Sequence, residues 1–373
     1  MSTAGRPNAS APAESLAAVC RSAGFVRLTA TPDGDALAAL GQLGAALRAA
    51  DVGFQASVSR VPRDSGTEAD ATVVLGAEAP DAALSVTTEP LASTAYDAAR
   101  ELGATPDPVL ALAGAVAGGF VPGADLPLYD EAESALDRRP GVALPVADLA
   151  DGLAHTGLVH ADFSGDEGVA TAAVADLDLP AELGDGDHRR LASLVALRAV
   201  RDAPDRAADR VERALRPYTG GPFRTLGGYA DVLDACARVA PGVGTALALE
   251  AARADGEPAH TGAALDAWRD HGAAAHTAVR DGDPARHSGL GVVRAGEGAP
   301  LGTVARLAHG YRSPEPLVLA VGGGAAALYG ERAAEAARAA GAATDATATG
   351  RGRTGYVDDI DAETAEKEVR AAI

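Results

Sequence analysis

Residues 31–35, Thr-Pro-Asp-Gly-Asp, place Asp33 and Asp35 two positions apart, directly after the apolar run GFVRLTA and directly before a long alanine- and leucine-rich stretch. Carboxylates at that spacing, held at the carboxyl end of a strand, are a starting set for a divalent metal and a phosphate ester, the chemistry of metal-assisted hydrolysis. The same residues also have an architectural reading. Pro32 fixes φ, Gly34 is free to take a left-handed conformation, and Asp35 is of a type that caps the helix after it. What the rest of the chain supplies decides between the two.

The elements that must position these residues are legible in the apolar pattern. FVRLT reads as a buried strand, and Leu37, Leu40, Leu43 and Leu47 recur along one helical face. GFQASVSRV, ATVVLGA and ALSVTT follow as short strands separated by polar loops such as PRDSGTEAD. LASTAYDAARELG and DPVLALAGAVAGGF read as helices, the first ended by Gly103 and the second begun after Pro106 and Pro108. Alternating strands and helices predict an α/β fold with a doubly wound, mostly parallel sheet. Such a sheet binds ligands at the carboxyl ends of its strands, where Asp33 and Asp35 fall.

Composition bounds the classes of function. The 373 residues carry a net charge of −20, and of 32 basic residues only Lys367 is a lysine. Hydrated carboxylates with almost no long lysine stems resemble the surfaces of proteins from salt-loving archaea. Acidity of that origin is an adaptation to solvent, so it does not exclude a nucleic-acid partner. Cys20 and Cys236 are too few for a disulfide framework or a zinc site and read as small buried hydrophobes. No apolar run reaches the roughly 18 residues of a membrane helix. The first residues, MSTAGRPNASAPAES, have no secretory pattern, and residues 1–14 are expected to be a mobile tail on a cytoplasmic protein.

Residues 31–54, TPDGDALAALGQLGAALRAADVGF, resemble the first motif of the DHH phosphoesterases, the family of RecJ exonucleases and nano-oligoribonucleases, whose pattern is H-x-N-P-D-G-D-A. LASTAYDAARELGATPDPVLALAGAVAGG, opened by Ser93 and Thr94, is similar to the later helices of that family, so Pro32, Gly34, Ser93 and Thr94 are the scaffold residues of the resemblance. The resemblance implies a site of two Mn²⁺ or Mg²⁺ ions that activate water and clamp the scissile phosphate. Thr29 and Thr31 stand at the positions of the motif histidine and its Asn/Asp partner, Gly76 at that of the next-strand aspartate, ALSVTTEP in place of Asp-His-His, and Gly118 and Gly119 at that of the last ligand. All eight histidines lie at or after His155, so only Asp33 and Asp35 remain as a vestigial metal set, sufficient for weak Mg²⁺ or Mn²⁺ contact through waters. Glu78 and Glu89 are the available substitutes.

The chain divides by this reading into a DHH-like domain over 15–155, a helical connector over 156–218 and a second, smaller α/β domain over 219–373. His155 and His160 share a glycine-bearing loop with no further obvious metal ligands. Arg206, Arg210 and Arg213 follow helical spacing among Asp205, Asp209 and Glu212, either as an exposed salt-laced helix or as a face that tracks phosphates. In the family the second domain carries a Gly-Gly-Gly-His-like loop that grips the nucleic-acid backbone. VGGGAAALYG, with Gly322, Gly323 and Gly324, and ATGRGRTGYV, with Arg351 and Arg353, are the candidates here, and neither has the histidine.

The function that follows from the resemblance is a RecJ-like protein of DNA replication, repair or nucleic-acid metabolism. With its ligands gone it is expected to be a catalytically inactive binding or scaffold subunit, partnered by single-stranded nucleic acid and by GINS-type replication factors or a nuclease, with no membrane. The alternative is a Mn- or Mg-dependent single-strand 5′–3′ exonuclease or phosphodiesterase with a rebuilt site. An unrelated nucleotide-binding protein is disfavoured because no glycine-rich phosphate loop follows the first strand.

Overall fold

The computed structural model describes residues 10–60, 68–123, 126–253 and 258–373. In chain order the elements are α1 (Ser10–Ser22), β1 (Phe25–Ala30), α2 (Gly34–Ala49), β2 (Gly53–Val58), β3 (Ala71–Leu75), β4 (Leu84–Val86), α3 (Leu91–Glu101), α4 (Pro108–Ala117), α5 (Leu128–Ala132), β5 (Asp137–Arg138), α6 (Leu149–His155), α7 (Glu167–Ala175), α8 (Asp185–Val200), α9 (Ala207–Ala214) and β6 (Tyr218–Thr219). Then follow α10 (Leu226–Val239), α11 (Pro241–Ala251), α12 (Thr261–Asp281), β7 (Asp283–His287), β8 (Leu290–Arg294), α13 (Leu301–Tyr311), β9 (Leu317–Gly322), β10 (Ala325–Gly330), α14 (Ala333–Thr344), β11 (Ala348–Arg351), β12 (Thr354–Asp358) and α15 (Ala362–Ala372).

Two compact units result, one of residues 1–136 with 232–264 and one of 137–231 with 265–373. These cuts differ from boundaries drawn by chain order at 155 and 218: residues 156–218 belong with the second unit, and the end of α10 with α11 returns to the first. Of the N-terminal tail expected over 1–14, residues 1–9 lie outside the described residues, and helix begins at Ser10 rather than near Ser15. The loop PRDSGTEAD likewise lies mostly outside them.

In the first unit four parallel strands run in the order β2-β1-β3-β4. Parallel strands need crossover helices, and β1 is accordingly buried along nearly its whole length. Leu16, Val26, Leu28, Leu40, Leu43, Leu47, Val73 and Leu75 share one core. α2 is buried on nearly all sides, because glycine lets neighbours approach it: a β-carbon on Gly41 would stand 2.6 Å from the Ala248 carbonyl oxygen of α11.

The second unit holds a six-stranded sheet in the order β11-β12-β10-β9-β8-β7, with only the β8–β9 pair parallel. Apolar residues cover both faces, Val292, Leu319 and Leu328 with α14 and α15 on one, Val293, Val318 and Ala320 with α13 on the other. β9 and β10 form a hairpin whose two-residue turn is Gly323–Gly324, with φ of 57° and 76°. Two positive φ values in succession are what a tight hairpin turn needs and what glycine supplies. No helix of the described residues is long and apolar enough to cross a membrane.

Candidate functional site

The 31–35 loop sits where the doubly wound sheet places it, at the carboxyl end of β1, but its carboxylates face the protein. Asp33 caps α2, one oxygen accepting from the Ala36 amide at 2.9 Å and the other from the Thr31 hydroxyl at 2.6 Å. The cap expected of Asp35 for its own helix therefore belongs to Asp33. Asp35 is fully buried and reaches α3 instead. Its two oxygens accept from the main-chain amides of Leu91 and Ala92 at 2.8 and 2.9 Å. Pro90, the residue that precedes α3, has no side-chain cap to offer, so a carboxylate from α2 satisfies the first amides of the helix and complements its dipole. Ser93 and Thr94 follow in that first turn, with the Thr94 hydroxyl donating to the Pro90 carbonyl.

Of the glycines standing where metal ligands are expected, Gly76 is closed by packing and Gly118 is tight, while a β-carbon on Gly119, at φ of 94°, would meet nothing within 4 Å. Gly76 has φ of 97°, and any β-carbon there would run into the Thr31 side chain. Gly118 lies beside Asp35, its hypothetical β-carbon 3.3 Å from a carboxylate oxygen. Glu78 is exposed and accepts weakly from Thr87 at 3.4 Å, and Glu89 is exposed before Pro90. The donor set thus does not fit a bridged pair of divalent ions, which needs imidazoles and several carboxylates converging on shared positions.

A basic group meets this loop from α10, a feature the sequence analysis did not single out. Gly34 packs on Asp234, whose carboxylate accepts from the Gly34 amide at 3.3 Å. One turn further on, Arg238 folds back onto Asp234 in a fork, Nε to one oxygen at 3.1 Å and Nη2 to the other at 2.8 Å. Burial opposes the charge on Arg238, but Asp234 and Asp33 outweigh it and hold the guanidinium pKa above its ordinary value. The spacing Asp-x-x-x-Arg in ADVLDACARV was the available signal.

In the second unit the two glycine-bearing segments fall at opposite ends of the sheet. The Gly323–Gly324 turn adjoins Asp358, at the far end of β12, whereas the β11–β12 turn, Gly352–Arg353, adjoins Tyr329 and Gly330. Gly322 packs on the Ala295 carbonyl, and Gly350 and Gly355 let β11 and β12 lie close under α14. Of the glycines in GRGRTGY only Gly352, with φ of 52°, shapes the turn.

Around Tyr329 arginines converge. The Arg210 and Arg353 guanidinium carbons stand 5.1 and 5.5 Å from the ring centroid. Arg206 Nη1 donates to His309 Nε2 at 2.7 Å and to the Glu315 carbonyl at 2.8 Å, and its other terminal nitrogen to the Pro314 carbonyl. Burial would raise the Tyr329 hydroxyl pKa, yet Arg210, Arg306 and Arg353 overcome it and lower it. Burial and then Arg353 push the Arg206 pKa down. Arg351 is half-buried on the edge strand β11, and Arg213 is exposed. Helical spacing grouped Arg206, Arg210 and Arg213; the fold brings the first two to Arg353.

His155, His160 and His276 are held by hydrogen bonds within the second unit. His155 Nδ1 lies 2.9 Å from the Asp151 carbonyl oxygen and 3.0 Å from its carboxylate, while Glu167 approaches Nε2 at 3.7 Å. These three could crowd a cation, but Arg269 already forks onto Asp151. His160 and His276 meet through their Nδ1 atoms at 2.9 Å. His276 Nε2 lies 3.0 Å from the Thr156 carbonyl, which only accepts, so its Nδ1 accepts from His160. Both cysteines are buried, and burial pushes their thiols up to about 11 for Cys20 and about 12 for Cys236.

Comparison with known proteins yields a family match, one relative and two similar structures. Residues 282–373 match the family described as "Uncharacterized protein rrnAC1427, C-terminal domain". The chain is 48% identical over 361 residues to the Haloarcula marismortui protein rrnAC1427, covering 94% of each. Among solved structures it is similar to Cdc45 of Entamoeba histolytica, with a TM-score of 0.58 at 8% identity over 98% of this chain and 99% of that one. It is also similar to Thermus thermophilus RecJ in complex with Mg²⁺, with a TM-score of 0.52 at 15% identity over 97% of this chain. The chain spans about half of that RecJ, 52%. The fold is like that of these two structures, an α/β unit with a parallel sheet and a second α/β unit.

Proposed function

The chain belongs to the family of rrnAC1427, and we propose that it is a RecJ-like protein of nucleic-acid metabolism, in DNA replication or repair, that binds single strands without cutting them. The observation that carries the reading is Asp35: buried, with each oxygen on a main-chain amide of α3, it is a capping residue. A two-metal mechanism then lacks one of its two surviving carboxylates, besides the histidines absent before His155.

Binding is assigned to the arginine cluster at the Tyr329 end of the second sheet. Arg206, Arg210 and Arg353 crowd one another in a chain of net charge −20, and an incoming phosphate relieves that repulsion while meeting planar donors. The Tyr329 ring packs against Arg210 and Arg353 and helps to position them. The partners of such a subunit are GINS-type replication factors or a nuclease. The composition and the Haloarcula relative support a cytoplasmic protein working in concentrated salt.

The test is hydrolysis of single-stranded DNA, RNA and short oligonucleotides by the purified protein with Mn²⁺ in molar KCl. No turnover above a protein-free control is expected. Digestion that Asp33→Ala abolishes would install the alternative, an exonuclease with a rebuilt site.

A further inference from the structure

We infer that α8 carries a docking groove for an acidic, amphipathic segment of a partner protein, whose apolar side chains enter between arginines of the second unit. The inference goes beyond the single-strand reading above and does not rest on it.

The groove is built on one stripe of a helix. Along α8, Leu191, Val195 and Ala199 are buried in the core. The face beside them is left over: Arg190, Leu194, Leu197 and Arg201 recur at i, i+4, i+7 and i+11, an apolar pair with an arginine at each end over roughly 16 Å. Leu177, just after α7, joins the lining, and Arg190 ties it to the helix by donating to the Leu177 carbonyl. Leu177 and Leu194 stand half-buried at the edge of the core, whereas Leu197 is 69% exposed. A single exposed leucine needs no explanation, but three gathered in one groove are a patch of the kind that takes a partner.

Charge says what the partner is. No carboxylate lines the groove, in a chain whose 52 acidic residues outnumber its 32 basic ones, while four arginines do. Their own pairs are loose. Asp185, Asp187 and Asp162 come to Arg189, Arg190 and Arg198 only at 3.8, 3.6 and 3.4 Å. Arg201 is exposed and has no ion pair or hydrogen bond among the described residues. In molar salt bare charge is screened within about 3 Å, so binding has to come from apolar area and from the forked hydrogen bonds that guanidinium groups make with carboxylates. A nucleic-acid strand would use the arginines but leave the leucines without a partner, and no aromatic ring lines the groove for a base to stack on. A second copy pairing through the same face about a two-fold axis would set arginine against arginine. A polypeptide with carboxylates on both sides of an apolar stripe matches both parts of the groove.

The test is fluorescence anisotropy of a labelled amphipathic peptide of about four helical turns, with leucines along one stripe and glutamates on either side of it, titrated with the full chain in molar KCl. Saturable binding is expected. Leu197→Asp and Arg201→Glu, both at exposed positions, should each weaken it at least about tenfold with unchanged circular dichroism. A peptide with glutamine in place of glutamate should bind the parent at least about tenfold less tightly. Neither substitution should change single-strand binding, so failure here and failure of the single-strand reading are separable. The inference is overturned by a lack of saturation below about 1 mM, by equal affinity of the parent for both peptides, or by folded variants that bind as the parent does. Should either variant unfold, the two peptides decide on the parent alone. Displacement of the peptide by a labelled single strand would overturn the inference and assign the groove to nucleic acid. Self-association of the parent in sedimentation that Leu197→Asp abolishes would overturn it in favour of a second copy.

Discussion

Asp35 shows how a residue type that reads as chemistry becomes architecture through a partner far away in sequence. Replacing it by alanine leaves two buried amides of α3 without acceptors, and hydrogen bonds to a charged group are worth roughly 1.5–3 kcal/mol each. Asp35→Ala is expected to destabilise the protein by about 3 kcal/mol or more, and Asp35→Asn, which keeps an acceptor for one amide, by about half of that. Denaturant unfolding in molar KCl measures both, as a shift of midpoint with unchanged slope. The loop and its two aspartates were legible in the sequence because turn chemistry is local. Their partners were not: the acceptor of Leu91 lies 56 residues away and the carboxylate that meets the Gly34 amide comes from α10, distances that periodicity does not span.

At the scale of elements, most of the fold could be read from the apolar pattern. β1, α2, the short strands that follow, and the helices after Pro90 and Asp107 stand where alternation and punctuation put them. β10 was absorbed into a glycine loop, because three glycines in a row hide the hairpin that turns on the last two. Gly323→Ala and Gly324→Ala should each cost about 1–2 kcal/mol, since an L side chain is strained at those φ values. Neither should change single-strand binding, because that turn lies at the end of the sheet away from Tyr329. Arg351→Ala with Arg353→Ala should weaken binding several-fold in high salt, measured by fluorescence anisotropy, with Asp33→Asn leaving it unchanged or stronger. Equal binding by the double variant would reduce the β11–β12 hairpin to a turn.

The whole molecule carries a pH signature in its buried neutral histidines. Burial, with Arg312 and Arg280 nearby, depresses His160 to about 4. His309 is depressed to about 3 by burial and by Arg206, Arg210 and Arg353, and His276 falls well below 6.5 through burial and its neighbour His160. In the unfolded chain these rings take up protons near pH 6.5. Below that pH the unfolded state binds protons that the folded state refuses, so stability must fall as pH falls from about 6.5 towards 4, by about 3 kcal/mol for His160 alone. His160→Gln, which still offers a donor to His276, is expected to flatten that slope in pH-dependent unfolding. The central claim, binding without cutting, is tested most directly by mixing a 5′-labelled single strand with the parent protein and Mn²⁺ in molar KCl and resolving both the complex and the length of the strand. A retarded complex from which full-length strand is recovered after long incubation is expected; progressive shortening of the strand that requires Mn²⁺ and Asp33 would overturn the proposal.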